Sequence, residues 1–276
     1  MITIVVLITV HNRIVQTLKC LEKLFNSNEI DQIYQLKCIF VDDNSSDETG
    51  SIIIEEYPEF FFFKGDGNLF WNRGMHYAFD QIDIINLDYD FIMWLNNDTY
   101  LFEESLLSLL ELSKLKKNKS IIVGPCCDSK TETITTYGGW VNNKLIPLSG
   151  NVVKCETFNG NVILIPRSVA IKVGNLDYKF RHSFGDIEYG LRANRYNVDS
   201  YMLNKFVGIC DLNEAVKTCF DIEKSVISRL KHLYHPLGMN PFEFFYLRNK
   251  YDGLFAGIKV FIALHLRSLF PMLWKN

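Results

Sequence analysis

Apolar positions in the first hundred residues follow two alternating rhythms. Residues 3–9 form a continuous apolar, largely β-branched run, while Ile14, Leu18, Leu21 and Phe25 recur at intervals of four, three and four and so share one helical face. Short apolar runs follow at 36–41, 60–63 and 91–95, each ending in a cluster of Asp, Asn, Gly or Ser. Strand signals alternating with helix signals predict a parallel sheet with crossover helices.

Beyond residue 100 the rhythm changes. Residues 121–123 add a strand, and 133–137 with 145–153 flank Gly138-Gly139-Trp140 and Asn142-Asn143 like the arms of an antiparallel hairpin. Residues 158–165 return to the sheet, and Pro166 opens a short helix. A further helix is expected to begin near Phe102, and others over 186–196, 213–235 and most of 241–270. The fold class is therefore α/β: a Rossmann-like, mostly parallel central sheet, a smaller antiparallel hairpin and a C-terminal helical segment. A boundary near 222 separates a body, 1–222, from the segment 223–276.

Composition adds limits. A chain of 276 residues that is 48% hydrophobic can bury one large domain with an appendage. Its seven cysteines are odd in number and contain no C-x-x-C pair, which fits reduced thiols in a cytosolic protein. The apolar N-terminus has no basic residue ahead of it and fails as a signal peptide. The net charge of −3 is unevenly spread: residues 224–276 hold eight Lys/Arg against two Asp/Glu, leaving −9 for the rest. An acidic body argues against a nucleic-acid partner. The basic, aromatic stretch 241–276 suits peripheral contact with an anionic membrane at the inner face. Lys259, His265 and Arg267 interrupt any span of it. Packing on the body, or against a second copy in a homodimer, is the other reading.

Ligands of open α/β sheets gather at the carboxyl ends of strands, and the polar clusters lie there: Thr9-Val10-His11-Asn12-Arg13, Asp42-Asp43-Asn44, Gly65-Asp66-Gly67-Asn68 and Asn96-Asn97-Asp98. Neither G-x-G-x-x-G nor a P-loop is present. The first cluster offers side-chain hydrogen bonds where those motifs offer bare backbone.

Residues 2–13, Val41-Asp42-Asp43-Asn44-Ser45-Ser46-Asp47-Glu48-Thr49, Leu95-Asn96-Asn97-Asp98-Thr99 and Gly185-Asp186-Ile187-Glu188-Tyr189-Gly190-Leu191-Arg192, in that order, resemble the family 2 inverting glycosyltransferases, of the rhamnosyl and galactosyl type found in bacterial polysaccharide synthesis. The resemblance covers about residues 2–210. It implies a GT-A fold with a donor half of about 1–100 and an acceptor half of about 101–222. It also implies a UDP- or dTDP-sugar, Mg²⁺ or Mn²⁺, and single displacement with inversion onto a saccharide or lipid-linked acceptor.

By that resemblance Asp43 accepts from the N3–H of a uracil or thymine ring, a role that suits an acceptor-only carboxylate, with Thr9 and His11 lining the same pocket and Asp42 closing the turn. An Asx-turn or helix cap is the plainer role for Asp43. Arg13, Asn68, Trp71, Asn72, Arg73, Asn96 and Asn97 are further donor-binding candidates. Asp98 is the one carboxylate left of the family's D-x-D motif and the expected metal ligand. The family's metal-binding histidine is missing after the last core strand, where Val207-Gly208-Ile209-Cys210-Asp211 stands, leaving Asp211, His232, His235 or nothing as the third ligand. Asp186 is the expected general base and also reads as a helix N-cap. Glu188 is in reserve, and with Asn159 and Gly160 it borders the acceptor. Two rival functions weigh against this one. A nucleotidyltransferase would carry a Gly-rich basic loop after the first strand, which is missing. A catalytically degenerate binding or scaffold subunit would account for the weakened metal motif.

Overall fold

The computed structural model describes residues 1–26, 34–212 and 218–274. The N-terminal apolar run becomes β1 (Ile2–Val10), a central strand buried on both faces. Ile4, Val6 and Ile8 point into one core and Val5 and Leu7 into the other, as the two-residue period of a strand requires. The first core is closed by α1 (Ile14–Asn26), α2 (Thr49–Glu56) and α4 (Ser105–Leu115). The second is closed by α3 (Phe70–Ile84), α5 (Arg167–Val173) and α6 (Gly185–Arg195).

The remaining strands of the central sheet are β2 (Tyr34–Asp42), β3 (Phe61–Lys64), β4 (Phe91–Leu95), β5 (Ile121–Val123), β6 (Val153–Cys155), β7 (Val162–Pro166) and β8 (Ser200–Met202). Their order is β6-β8-β5-β7-β4-β1-β2-β3. Neighbours from β4 to β3 run parallel; β7 runs antiparallel to β4 and β5, and β6 antiparallel to β8. Because β7 is reversed, the residues just before it lie beside the carboxyl end of β4, with Val162 opposite Leu95. One edge of the sheet therefore collects the ends of β1, β2 and β4 and the start of β7.

The hairpin is shorter than the sequence pattern indicated. Its arms are Gly139–Val141 and Lys144–Leu145, joined at Asn142 and Asn143, whose φ values of 51° and 57° suit a two-residue turn. The expected first arm instead contributes Thr135–Tyr137 to a separate four-stranded sheet with Tyr100–Leu101, Cys126–Cys127 and Gly208–Ile209. Since Tyr100–Leu101 pairs in this way, α4 begins at Ser105 rather than near Phe102.

Of the helix expected over 213–235, residues 213–217 lie outside the described residues. Thr218–Phe220 is a 3₁₀ turn, and α7 (Val226–Tyr234) starts where the Ser225 side chain accepts from the Ser228 N–H. The long C-terminal pattern breaks at Gly253, φ 90°, into α8 (Pro241–Asp252) and α9 (Leu254–Leu269). No helix among the described residues is long and apolar enough to cross a membrane.

Candidate active site

The β2 end is built around two aspartates with different tasks. Asp42 accepts from the backbone N–H and hydroxyl of Ser45, closing the turn. Asp43 is buried, and its carboxylate gathers the N–H groups of Gly67 (2.7 Å), Leu69 (2.9 Å) and Phe70 (3.0 Å), so it positions the start of α3. This is the capping role that the sequence left open. Beside it, His11 Nδ1 lies 2.8 Å from the Asp43 carbonyl oxygen. Thr9 packs so tightly under Gly74 that a Cβ there would meet Thr9 Oγ1 at 2.2 Å.

At the β4 end the three polar residues face three ways. Asn96 Oδ1 accepts from Trp71 Nε1 at 2.7 Å. Asn97 donates to the Thr17 hydroxyl. Asp98 Oδ2 receives Arg13 Nη1 at 3.0 Å, and the buried Cys210 thiol lies 3.8 Å from Oδ1. Burial and the Asp98 charge push that thiol up to about 12, so it stays protonated. Cys210 is the site neighbour that a search for histidine overlooks; its place directly after the last paired strand, Gly208–Ile209, was the available signal.

Trp71 ties these ends to the third. Its ring lies over Gly160, where a Cβ would come within 2.4 Å of it, and the Gly160 N–H donates to Asp186 Oδ2 at 3.0 Å. Only glycine permits that approach. Asp186 sits in the first turn of α6 and accepts from the Ile187 N–H, while the cap position is Phe184 at φ 72°. The N-cap expectation for Asp186 is thus displaced by two residues. Asp186 keeps some contact with solvent, yet enough protein surrounds it to desolvate the carboxylate, raising its pKa to about 6 against the pull of three backbone hydrogen bonds.

Several expected ligands are committed elsewhere. Asn72 is fully buried and donates to the carbonyls of Asp177 and Phe180; its side chain fills the space that any residue larger than glycine at 185 would need. That contact requires glycine at position 185. Arg73 bonds the Tyr178 carbonyl and lies on its ring. Asn68 is exposed at the rim, and Asn159 Oδ1 accepts from Trp140 Nε1. Glu188 is inaccessible: Arg192, Lys250 and the Tyr251 hydroxyl surround its carboxylate, which corrects its placement at an acceptor or as a base.

The residues do not assemble a ready cage for a divalent cation. Among the described residues no three His, Cys, Asp or Glu side chains converge in a metal-holding group. Asp98 is already paired with Arg13, and the Asp211 carboxylate accepts from the Ser129 N–H. His235 lies edge-on to Phe70 and stacks on His232, so neither histidine completes a ligand set with Asp98. A cavity of about 650 Å³ lies at the opposite end of the sheet, bordered by Ile2, Phe91 and Pro166. It touches none of these groups, which gather instead at the carboxyl ends of the strands.

The chain is similar in fold to the crystal structure of S. aureus TarS 1-349, with a TM-score of 0.59 at 12% identity over 100% of this chain and 93% of that one. The same protein in complex with UDP-GlcNAc gives 0.58 at 11% identity, over 99% and 76% of the two chains. No curated protein matches in sequence. Residues 5–140, which carry the β1, β2 and β4 ends just described, match the family described as glycosyl transferase family 2, and they lie within a GT-A-like α/β architecture.

Proposed function

We propose that the protein transfers a sugar from a UDP- or dTDP-sugar, with inversion, to a saccharide or lipid-linked saccharide in the assembly of a cell-surface polysaccharide. The observation that carries this reading is the contact chain from Asp43 through α3 and Trp71 to Asn96 on one side and to Gly160 and Asp186 on the other. These contacts support a donor site that runs from the β2 end past the β4 end to Asp186. The solved complex of TarS with UDP-GlcNAc, a protein of the same fold, supports the donor class.

In this reading the pyrimidine lies by His11, Thr9 and the Asp43 turn. Asp43 acts there mainly by fixing the Gly67 to Phe70 backbone that frames the pocket. The sugar sits over Trp71, whose ring offers an apolar face. Asp186 takes the proton of the acceptor hydroxyl as that oxygen attacks the anomeric carbon opposite the leaving diphosphate. One carboxylate suffices for a single displacement, and a value raised to about 6 by desolvation leaves it ionised yet basic at neutral pH.

The exposed apolar side of α9 supports an acceptor delivered at a membrane surface and a peripheral, cytoplasmic-face location. Phe255 is 87% exposed, and Ile258, Ile262 and Leu266 follow it on the same side. The test is a thermal-shift panel of UDP-, dTDP- and GDP-sugars, followed by donor turnover. Stabilisation by a pyrimidine donor, and turnover lost in Asp186→Asn, is the expected result. A binding or scaffold subunit would bind donor but show no turnover for the substitution to remove.

A further inference from the structure

In the donor reading the base side lies at the ends of β1 and β2 and the sugar and acceptor side at those of β4 and β7; with β1 and β4 adjacent in the sheet, the diphosphate joining the two sides crosses between them. The Arg13–Asp98 pair stands at that crossing. Arg13 is held there at some cost: Asn12 and Arg13 both adopt left-handed backbone, φ 60° and 68°, which L-residues avoid unless their surroundings impose it. The imposing contacts are Ser45 Oγ on the Asn12 N–H, the Ser46 N–H on Asn12 Oδ1, and the Thr17 N–H and hydroxyl on the Arg13 carbonyl. The Arg13 side chain remains 50% exposed although its Nη1 is bonded to Asp98, so the guanidinium is open to a ligand.

We propose, resting on the nucleotide-sugar reading above, that Arg13 is the counter-charge for the donor diphosphate in this chain and that donor binding and sugar transfer proceed without a divalent cation. As the acceptor oxygen bonds to the anomeric carbon, the bond from that carbon to the diphosphate oxygen breaks. Its electron pair stays on the diphosphate, and the acceptor proton goes to Asp186. The charge gained by the leaving group is met by a forked guanidinium, which suits phosphate oxygens. Asp98 acts as the positioning residue that aims it. The nearby His182 is kept neutral by burial, with Arg13 and His235 lowering it further to about 4, so the permanent positive charge of this cluster is Arg13.

The experiment is calorimetric titration of the full chain with UDP and dTDP, and with uridine and thymidine, in EDTA and in Mn²⁺, alongside donor turnover in both. The favoured diphosphate is expected to bind in EDTA within about threefold of its Mn²⁺ affinity, and turnover to persist. Arg13→Gln should weaken the diphosphate about 10–100-fold and leave the nucleoside unchanged, with Arg13→Lys intermediate. Binding or turnover that appears only with Mn²⁺ overturns the proposal while the donor reading stands. Equal loss of nucleoside and diphosphate in Arg13→Gln also overturns it, marking a structural role. Absence of all nucleotide binding removes the donor reading and the proposal together.

Discussion

At the scale of single residues, Asp186 and the two glycines beside it make the sharpest expectations. With a pKa of about 6, kcat/KM should rise with pH, with unit slope below that value and a plateau above it, because only the ionised carboxylate accepts the proton. A profile flat from pH 5 to 8 would remove Asp186 as the base. The same shift bears on stability. The folded value lies above the ordinary 3.8, so the contribution favours the protonated form, is fully present below about pH 4 and is lost as pH rises through about 6. Asp186→Asn is therefore expected to raise Tm at pH 8 relative to wild type by more than at pH 4, while abolishing transfer. Gly160→Ala would drive a methyl group into the Trp71 ring and should cost about 1–3 kcal/mol in urea unfolding, with a raised KM. Asp43 and Asp98 stood out in the sequence because short polar residues after apolar runs mark strand ends, whereas Asp186 stood out through the family resemblance and as the start of a helical pattern. The partners Gly160–Trp71 and Gly185–Asn72 were not, since each is a contact between segments far apart along the chain.

At the scale of elements, α6 and α8 are joined by charges rather than by apolar packing alone. Glu188 on α6 meets Lys250 at 2.8 Å and Arg192 at 2.9 Å, and Lys250 also reaches Asp177 at 2.9 Å. Arg181, in the loop before α6, pairs with Glu243 of α8. Removing one partner of a buried pair strands the other, so Glu188→Ala is expected to lose about 3–5 kcal/mol in urea unfolding. The Lys250→Met, Glu188→Gln double variant should recover much of that loss. A Glu188→Ala protein of unchanged stability with a shifted pH–rate profile would instead restore Glu188 as a catalytic group. Glu188 and Arg192 stand four apart on one helical face, but Lys250 arrives from another helix and no local pattern announces it. The elements β1, α1, β2, β4 and the α8–α9 region were legible for the complementary reason: each has a strong period of its own. The small strands between residues 100 and 158 are two or three residues long, too short for any period, and their pairing is decided by the sheets they join.

At the scale of the whole molecule, the C-terminal helices present one face to the body and another outward. On α9, Gly257, Leu264 and Ser268 are buried, while Phe255, Ile258, Ile262, Leu266 and Leu269 are exposed at intervals of three, four, four and three. The only charged residues among 253–274 are Lys259 and Arg267, and no acid follows Asp252. An apolar ridge flanked only by basic groups suits an anionic lipid surface, with about 1 kcal/mol from each cation near the headgroups and about 1.5–3 kcal/mol from each large side chain that leaves water. Truncation before 241 would not test this, because it also removes Glu243 and Lys250 from Arg181 and Glu188 and so unsettles the α6 helix that carries Asp186. Substituting Phe255, Ile258 and Ile262 with Ser leaves the inward face intact. The triple variant is expected to lose flotation with vesicles containing phosphatidylglycerol by at least about tenfold while keeping its Tm and donor affinity. Wild-type protein should bind neutral phosphatidylcholine vesicles more weakly and release from anionic ones as salt rises. Flotation unaffected by the substitutions would remove the membrane role, and conversion of a dimer to a monomer by the same variant would assign this face to a second copy of the chain.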